Sequence, residues 1–443
     1  MVSLFYAIYI GFYKGNNEFC AVMSRMQKKS LQCEDFIKQL PVLSQHFTDI
    51  VLLHSTQYTQ KYQLIIGLGA KEKVFLHPNT TRPQDFFETI QQGFWMGFLS
   101  YDIKNIFEKL SSKNPNRHNS PLAAFIRPEI LIKIDYQGNI TWECTTQQKQ
   151  KILTLLNIKF NATPIFPPPQ IQQNLSKEEY IQNIHKIQNH IRRGDIFEMN
   201  YCMEFFAENC EVEPELLYQQ LTQLSPNPFC AFVKINDWYV ISSSPERFLS
   251  KNKQYILAQP IKGTSARSMD KNLDNLNKHN LKNSKKEQSE NVMIVDLVRN
   301  DLSKIALKGS VKVKELFGIY SFPTVHQMIS SIECETKTHD LYTILKANFP
   351  MGSMTGAPKV KAMELAEHFE TFSRGIYSGS VGYIDNDNSC FDFNVVIRSI
   401  IYNSKLKNLS FPVGSAITYY ADAEQEYEEC WLKAKAILQL LKN

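Results

Sequence analysis

The sequence predicts an α+β protein, and three observations carry that prediction. Strand-like runs (WYVISSS, QYILAQPI, GYIDND, CFDFNVVIRSIIYN, LSFPVGSAI) are interspersed with helical stretches over 287–300, 359–369 and 424–441, without the regular strand-helix-strand rhythm of a doubly wound sheet. The 443 residues suffice for two large domains or three ordinary ones with well-buried cores. Hydrophobic residues make up 43% and charged residues 21%, a globular balance that excludes a disordered or fibrous chain.

The chain opens with an apolar run from Val2 to Phe12. No basic residues precede it, no small-residue cleavage site follows, and it is too short to span a membrane, so it reads as a buried strand or helix. Met23 and Met26 lead into a polar stretch that looks like an ordinary chain start, which gives a second reading of residues 1–22 as a poorly ordered extension. DIVLLHST and the aromatic-rich GFWMGFLSYDI read as buried strands, and SSKNPNRHNSP as a surface loop. Pro164 and Pro167 to Pro169 remove backbone donors and hold the chain extended, which divides it into an N-terminal region, 1–170, and a second region, 171–443. The second region opens with a capping box, Ser176 and Glu179, ahead of Tyr180, Ile184, Ile187 and Ile191 on one helical face and a stop at Gly194.

Lysine and arginine total 49 against 44 acids, a net charge of +5, with no long basic run to track a nucleic-acid backbone. Neither nucleic acid nor a membrane is an expected partner. The nine cysteines are odd in number, widely spaced and without a C-x-x-C pair, as expected of reduced thiols in a cytoplasmic protein.

Several residue types carry chemistry. Glu287 and Glu290 lie three apart, as do Glu426 and Glu429, so each pair shares a helical face. Four carboxylates from two helices suit Mg²⁺, and two solvated acidic faces would show the same spacing. Lys262 sits in PIKGT between strand-like runs, where desolvation or a neighbouring cation lowers an amine's pKa and exposes a nucleophile. Glu246, in SSSPERF, is the matching acid if burial raises its own pKa. GSMTGAPK, with Thr355, precedes a helix whose free N–H groups can meet an anion, although a plain helix start reads alike. Its glycine spacing is wrong for a Walker A loop, which disfavours ATP. Arg398 interrupts the apolar alternation of one strand and can fork onto a carboxylate or close a structural ion pair. His326 can polarise a hydroxyl or be a satisfied core histidine. Asp296, Arg299, Asn300 and Asp301 read as a structural network.

From Ser176 onward the strings GDIFEMN, SSSPERF, PIKGT, SENVMIVDLVRND, GSMTGAPK, YSGSVGY, VVIRS and EYEECWLKA follow one another in order. In this ordered set the chain resembles the chorismate-utilising enzymes, with VLLHS and FLSYD as looser likenesses in the first half. The resemblance implies two stacked antiparallel sheets, a sandwich flanked by helices, with the N-terminal region in the same body. It implies Mg²⁺ beside the ring carboxylate of chorismate, held by Glu290 and Glu429 with Glu287 and Glu426 close by. It also implies Arg398 and Tyr377 on the enolpyruvyl carboxylate, Lys433 and the backbone near Gly414 and Ser415 on the ring carboxylate, and Thr355 among the substrate-binding residues.

Within that family the PIKGT lysine marks members that aminate chorismate at C4 on the way to para-aminobenzoate and folate, whereas anthranilate-forming members carry alanine there. The implied chemistry has the neutral amine of Lys262 attack ring C2 while the C4 hydroxyl leaves with a proton from Glu246. Ammonia then attacks C4 and expels the lysine. Isochorismate- and salicylate-forming members use a lysine where this chain has Glu198, which disfavours water addition here. Aminating members usually carry glutamine there, so Glu198 is a departure, as are Tyr419 and Tyr420 in GSAITYYAD. No Gly-x-Cys-x-Gly glutaminase nucleophile is present, so a separate glutamine amidotransferase supplying ammonia is implied. VLLHS, ending at Ser55, resembles the region that holds tryptophan in family members. Two other readings compete: an anthranilate-forming enzyme, against which Lys262 argues, and a noncatalytic scaffold for the amidotransferase, against which the joint presence of Glu246, Lys262, Glu290, Arg398 and Glu429 argues.

Overall fold

A computed structural model describes residues 31–56, 61–160 and 166–442. The apolar opening, the extension expected over 1–22 and Pro164 lie outside the described residues. Strands pair antiparallel throughout. One ladder runs from Glu198–Ala207 through Asn408–Ile417, Ser399–Asn403, Trp238–Ser244 and Phe229–Ile235 to Ile50–His54. It continues through Leu64–Leu76, Ala123–Ile134, Phe94–Leu99, Ser380–Asp385, Cys390–Asn394, Arg247–Asn252 and Tyr255–Gln259 to Val325–Glu335. The strands of the first 150 residues therefore sit in the middle of the ladder, between strands of the second half.

Period-2 alternation folds this ladder into a sandwich, because successive side chains point to opposite faces. Val51, Leu53, Met96, Phe98, Val240 and Val381 meet in an inner core between the two stacks. Their neighbours face outward onto helices. Ile50, Leu52 and Ile241 pack with residues of Lys177–Arg192, Pro214–Leu224 and Ala423–Leu440, while Trp95, Leu99 and Ile384 pack with residues of Pro83–Ile90, Lys285–Ser303 and Leu341–Asn348. The α+β sandwich expected from the sequence is the fold observed.

The capping box is formed: Glu179 N donates to Ser176 Oγ at 3.2 Å and Ser176 N to Glu179 Oε2 at 2.8 Å. Two local expectations need correction. CFDFNVVIRSIIYN is not one strand: it splits into Cys390–Asn394 and Ser399–Asn403, with Arg398 at the break in a left-handed conformation (φ 53°). The loop over 111–121 is irregular as expected, but it is not purely surface, since His118 and Ser120 are buried and Trp238 Nε1 donates to His118 O at 3.1 Å. Of the DLVRND residues, only Asp301 serves the fold as a buried acceptor for Lys359 and Lys304, while Asp296 and Arg299 pair on the exposed face of the helix.

Candidate active site

The helices Lys285–Ser303 and Ala423–Leu440 begin at caps where Ser284 Oγ accepts from Glu287 N at 3.4 Å and Asp422 Oδ1 from Gln425 N at 3.0 Å. The acidic pairs thus fall on the opening turns of the two helices, and these turns form one side of a cleft of about 880 Å³. Glu287, Glu290, Glu426 and Glu429 line it together with Glu246, Lys262, Tyr377, Arg398, Gly414 and Lys433. A spread of almost two hundred sequence positions is gathered onto one surface.

Three expected residues do not reach that wall. His326 is buried with both ring nitrogens engaged, Nδ1 with Ser321 Oγ at 2.8 Å and Nε2 with Asp274 Oδ1 at 3.1 Å. Thr355 is buried and its hydroxyl donates to Met351 O at 3.1 Å. The Ser415 side chain is buried against the Tyr180 hydroxyl at 3.2 Å and beside Glu426, which leaves the expected role of the backbone near Gly414 and Ser415 untouched. From the GSMTGAPK string it is Ser353 that serves the cleft, donating to Glu246 Oε1 at 2.6 Å. Tyr419 and Tyr420 stack edge to face on each other, 4.9 Å apart and exposed.

Lys262 is 10% exposed and donates to Glu198 Oε1 at 2.7 Å; Glu198 is 1% exposed. Burial by itself would lower the amine's pKa, but Glu198, Glu290 and Glu429 outweigh burial and hold it above the ordinary lysine range. These carboxylates therefore favour the ammonium, against the neutral amine that the expected attack requires. Gly263, at φ 92°, permits the approach, since a Cβ there would lie 2.8 Å from Glu287 Oε2. Glu246 behaves as anticipated, burial pushing its carboxyl up to about 7 against Ser353 and Lys262.

Burial likewise pushes Glu290 up to about 7, opposed by Lys262 and reinforced by Glu198 and Glu287. Burial also works to raise Glu429, but Lys433, Lys286 and Lys262 prevail and hold it below the usual range. Lys433 donates to Glu429 Oε1 at 2.7 Å and to Gly414 O at 2.7 Å, and Lys286 reaches Glu426 Oε1 at 3.3 Å. Arg398 is half-buried and its guanidinium makes no hydrogen bond or ion pair among the described residues; the Tyr377 hydroxyl also makes none.

The donor set fits a hard divalent cation. Glu290 Oε1 is buried without a partner, and oxygen ligands are what Mg²⁺ takes. Among the described residues no group of three or more His, Cys, Asp or Glu side chains is placed to hold a metal ion by itself, so a cation here would need substrate or water oxygens to complete its shell. Glu198, Asn200, Lys286 and Gln327 enlarge the site beyond the expected set. Glu198 was visible as a departure from a motif; Gln327 was visible only through alternation, as the residue beside His326 on a strand.

The family model described as "chorismate binding enzyme" matches residues 50–439. The chain is 33% identical over 426 residues to the chloroplastic aminodeoxychorismate synthase of Arabidopsis thaliana, covering 90% of this chain and 46% of that one. It is 36% identical over 368 residues to aminodeoxychorismate synthase component 1 of Escherichia coli, covering 80% and 78%. The chain thus spans about half the length of its plant relative and most of the bacterial one. The anthranilate synthase component I structure from Streptococcus pneumoniae superposes with a TM-score of 0.75 at 23% identity, covering 86% of this chain and 92% of that one. With ordered motifs, sandwich, acidic cleft and family match all concordant, the chain belongs to the chorismate binding enzyme family.

Proposed function

We propose that this chain aminates chorismate at C4, in a reaction requiring Mg²⁺, to give 4-amino-4-deoxychorismate for para-aminobenzoate and folate synthesis. Ammonia would come from a separate glutamine amidotransferase. The observation that carries the reading is Lys262, a buried cation in a cleft shared with Glu246 and with the open guanidinium of Arg398. Relatives that carry the aminodeoxychorismate synthase name support it. A cytoplasmic location fits the eight described cysteines, all unbridged, and among the described residues no helix is long and apolar enough to cross a membrane. The same reading extends to tryptophan near Ser55, which is buried at the end of Ile50–His54.

Chorismate carries two carboxylates, and alone it would be repelled by Glu287, Glu290, Glu426 and Glu429. A divalent cation held by Glu290 and Glu429, with Glu287 and Glu426 close by, would supply the neutralising charge for the ring carboxylate. Arg398 and Tyr377 take the enolpyruvyl carboxylate, and Lys433 anchors the ring carboxylate beside Gly414. Attack on C2 requires the neutral amine, and a divalent cation engaging Glu290 and Glu429 would weaken two of the carboxylate charges that hold Lys262 as an ammonium, so that its proton passes to solvent before Nζ attacks C2. As the Nζ–C2 bond forms and the C4–O bond breaks, Glu246 donates its proton and water leaves. Ammonia then attacks C4, the Nζ–C2 bond breaks, and Lys262 departs as a free amine.

The test is to incubate the chain with chorismate, Mg²⁺ and ammonium salt, with and without an amidotransferase plus glutamine, and to identify the product by mass spectrometry. Aminodeoxychorismate retaining its enolpyruvyl group, lost in Lys262→Ala, is the expected result. Anthranilate would transfer the chain to the rival enzyme reading, and unchanged chorismate with folded protein would favour the scaffold.

A further inference from the structure

Eight buried side-chain polar atoms among the described residues have no hydrogen-bond partner, and of the residues that carry them three belong to the site: Glu198 (which holds Lys262), Glu290 and Gln327. Glu290 has a proposed role in holding a cation. Gln327 has none.

Gln327 lies on Val325–Glu335, opposite Thr264 and Tyr320 on the flanking strands. Thr264, two residues past Lys262, lines the cleft as well. Strand alternation turns His326 away onto Ser321 and Asp274 and turns Gln327 inward. The side chain is 3% exposed, its Oε1 is unpartnered, and no hydrogen bond among the described residues uses its Nε2. The protein itself therefore uses neither end of the carboxamide.

An unsatisfied buried amide is destabilising, so a fold that keeps one gains something elsewhere. A carboxamide presents an acceptor and a donor side by side, which matches a hydroxyl, a group that both donates and accepts. A carboxylate would offer only acceptors and an ammonium only donors. In the reading above both substrate carboxylates have cationic partners, while the ring hydroxyl meets only the proton donor Glu246 and has no group assigned to accept its O–H.

Resting on that reading, we propose that Gln327 contacts the substrate and recognises the ring hydroxyl that leaves, Oε1 accepting from its O–H and Nε2 donating to its oxygen. Being neutral, Gln327 does this without adding to the charge of a cleft already crowded with carboxylates. After departure, Oε1 is free to accept from an N–H of the entering ammonia.

The experiment compares wild type with Gln327→Leu and Gln327→Asn, with Mg²⁺ present. It measures kcat/KM for chorismate, the calorimetric Kd of chorismate and of a chorismate analogue lacking the C4 hydroxyl, and the thermal midpoint. For Gln327→Leu we expect kcat/KM and chorismate binding to fall about tenfold to a hundredfold, as for a lost buried hydrogen bond. Binding of the deoxy analogue should change less than about twofold, and the thermal midpoint should hold or rise, because an unsatisfied amide has been removed. Gln327→Asn should recover part of the loss. Chorismate kinetics and binding within about twofold of wild type, equal weakening of chorismate and the deoxy analogue, or a fallen midpoint would each overturn the assignment. If wild type forms no aminated product, the proposed function fails, and the two binding comparisons still judge Gln327.

Discussion

Two buried or half-buried arginines, 24 positions apart in the sequence, show what separates scaffold from site. Arg374 donates from Nε and Nη2 to the two oxygens of Glu370 at 2.9 and 2.6 Å, and to Met354 O at 2.7 Å and Asn200 O at 2.9 Å. Glu370 in turn accepts from Cys202 N at 3.0 Å. Every strong donor direction is filled, and because Asn200 and Met354 both line the cleft, this closed pair pins the wall. Arg398 sits at a strand break with its guanidinium uncommitted among the described residues. Complete satisfaction makes a charge structural; incomplete satisfaction leaves it the capacity to bind.

The largest effect should come from breaking the closed pair. Arg374→Met strands Glu370 as an unpaired buried carboxylate and should cost on the order of 3–5 kcal/mol in denaturant unfolding. Arg398→Met should leave the unfolding midpoint nearly unchanged while KM for chorismate rises about tenfold or more, the loss of a charge-assisted contact of roughly 1.5–3 kcal/mol. Equal destabilisation by the two substitutions would erase the distinction.

pH sharpens the contrast within the cleft. Glu246, at about 7, must be protonated to act as the acid, so at saturating Mg²⁺ kcat/KM should fall as pH rises through 7. Glu246→Gln should abolish that descending limb along with about a hundredfold of rate. Glu290, also at about 7 against an ordinary 4.5, binds its proton more tightly folded than unfolded. Its ionisation penalty is therefore absent below pH 4.5, grows as pH rises, and is complete above 7. Without Mg²⁺, Glu290→Gln should melt higher than wild type at pH 8 and equally at pH 4. Adding Mg²⁺ should raise the wild-type midpoint more than that of the variant, the smallest of these effects.

Much of this was legible in the chain itself. Local signals act over a few residues, so the Ser176 capping box, the helical spacing of the two glutamate pairs and the apolar strand runs around Val51 and Phe98 could be read directly. The PIKGT and SSSPERF strings picked out Lys262 and Glu246 in the same way. The strand break at Arg398 escaped, because VVIRSII is apolar enough to extend one strand and only pairing with two different neighbours, Arg247–Asn252 and Trp238–Ser244, divides it. Histidine chemistry drew attention to His326, whereas the register against Thr264 selects Gln327.

The sequence by itself determined the fold class, the elements and the residue types available for chemistry, because these follow from backbone preference, hydrophobic period and short-range spacing. Only the tertiary structure decided the charge state of Lys262, since its partner Glu198 lies 64 residues away and Glu290 and Glu429 approach from separate helices. Partner identity and burial are set by groups remote along the chain, and they decide which polar atoms are satisfied within the fold and which remain open to a ligand.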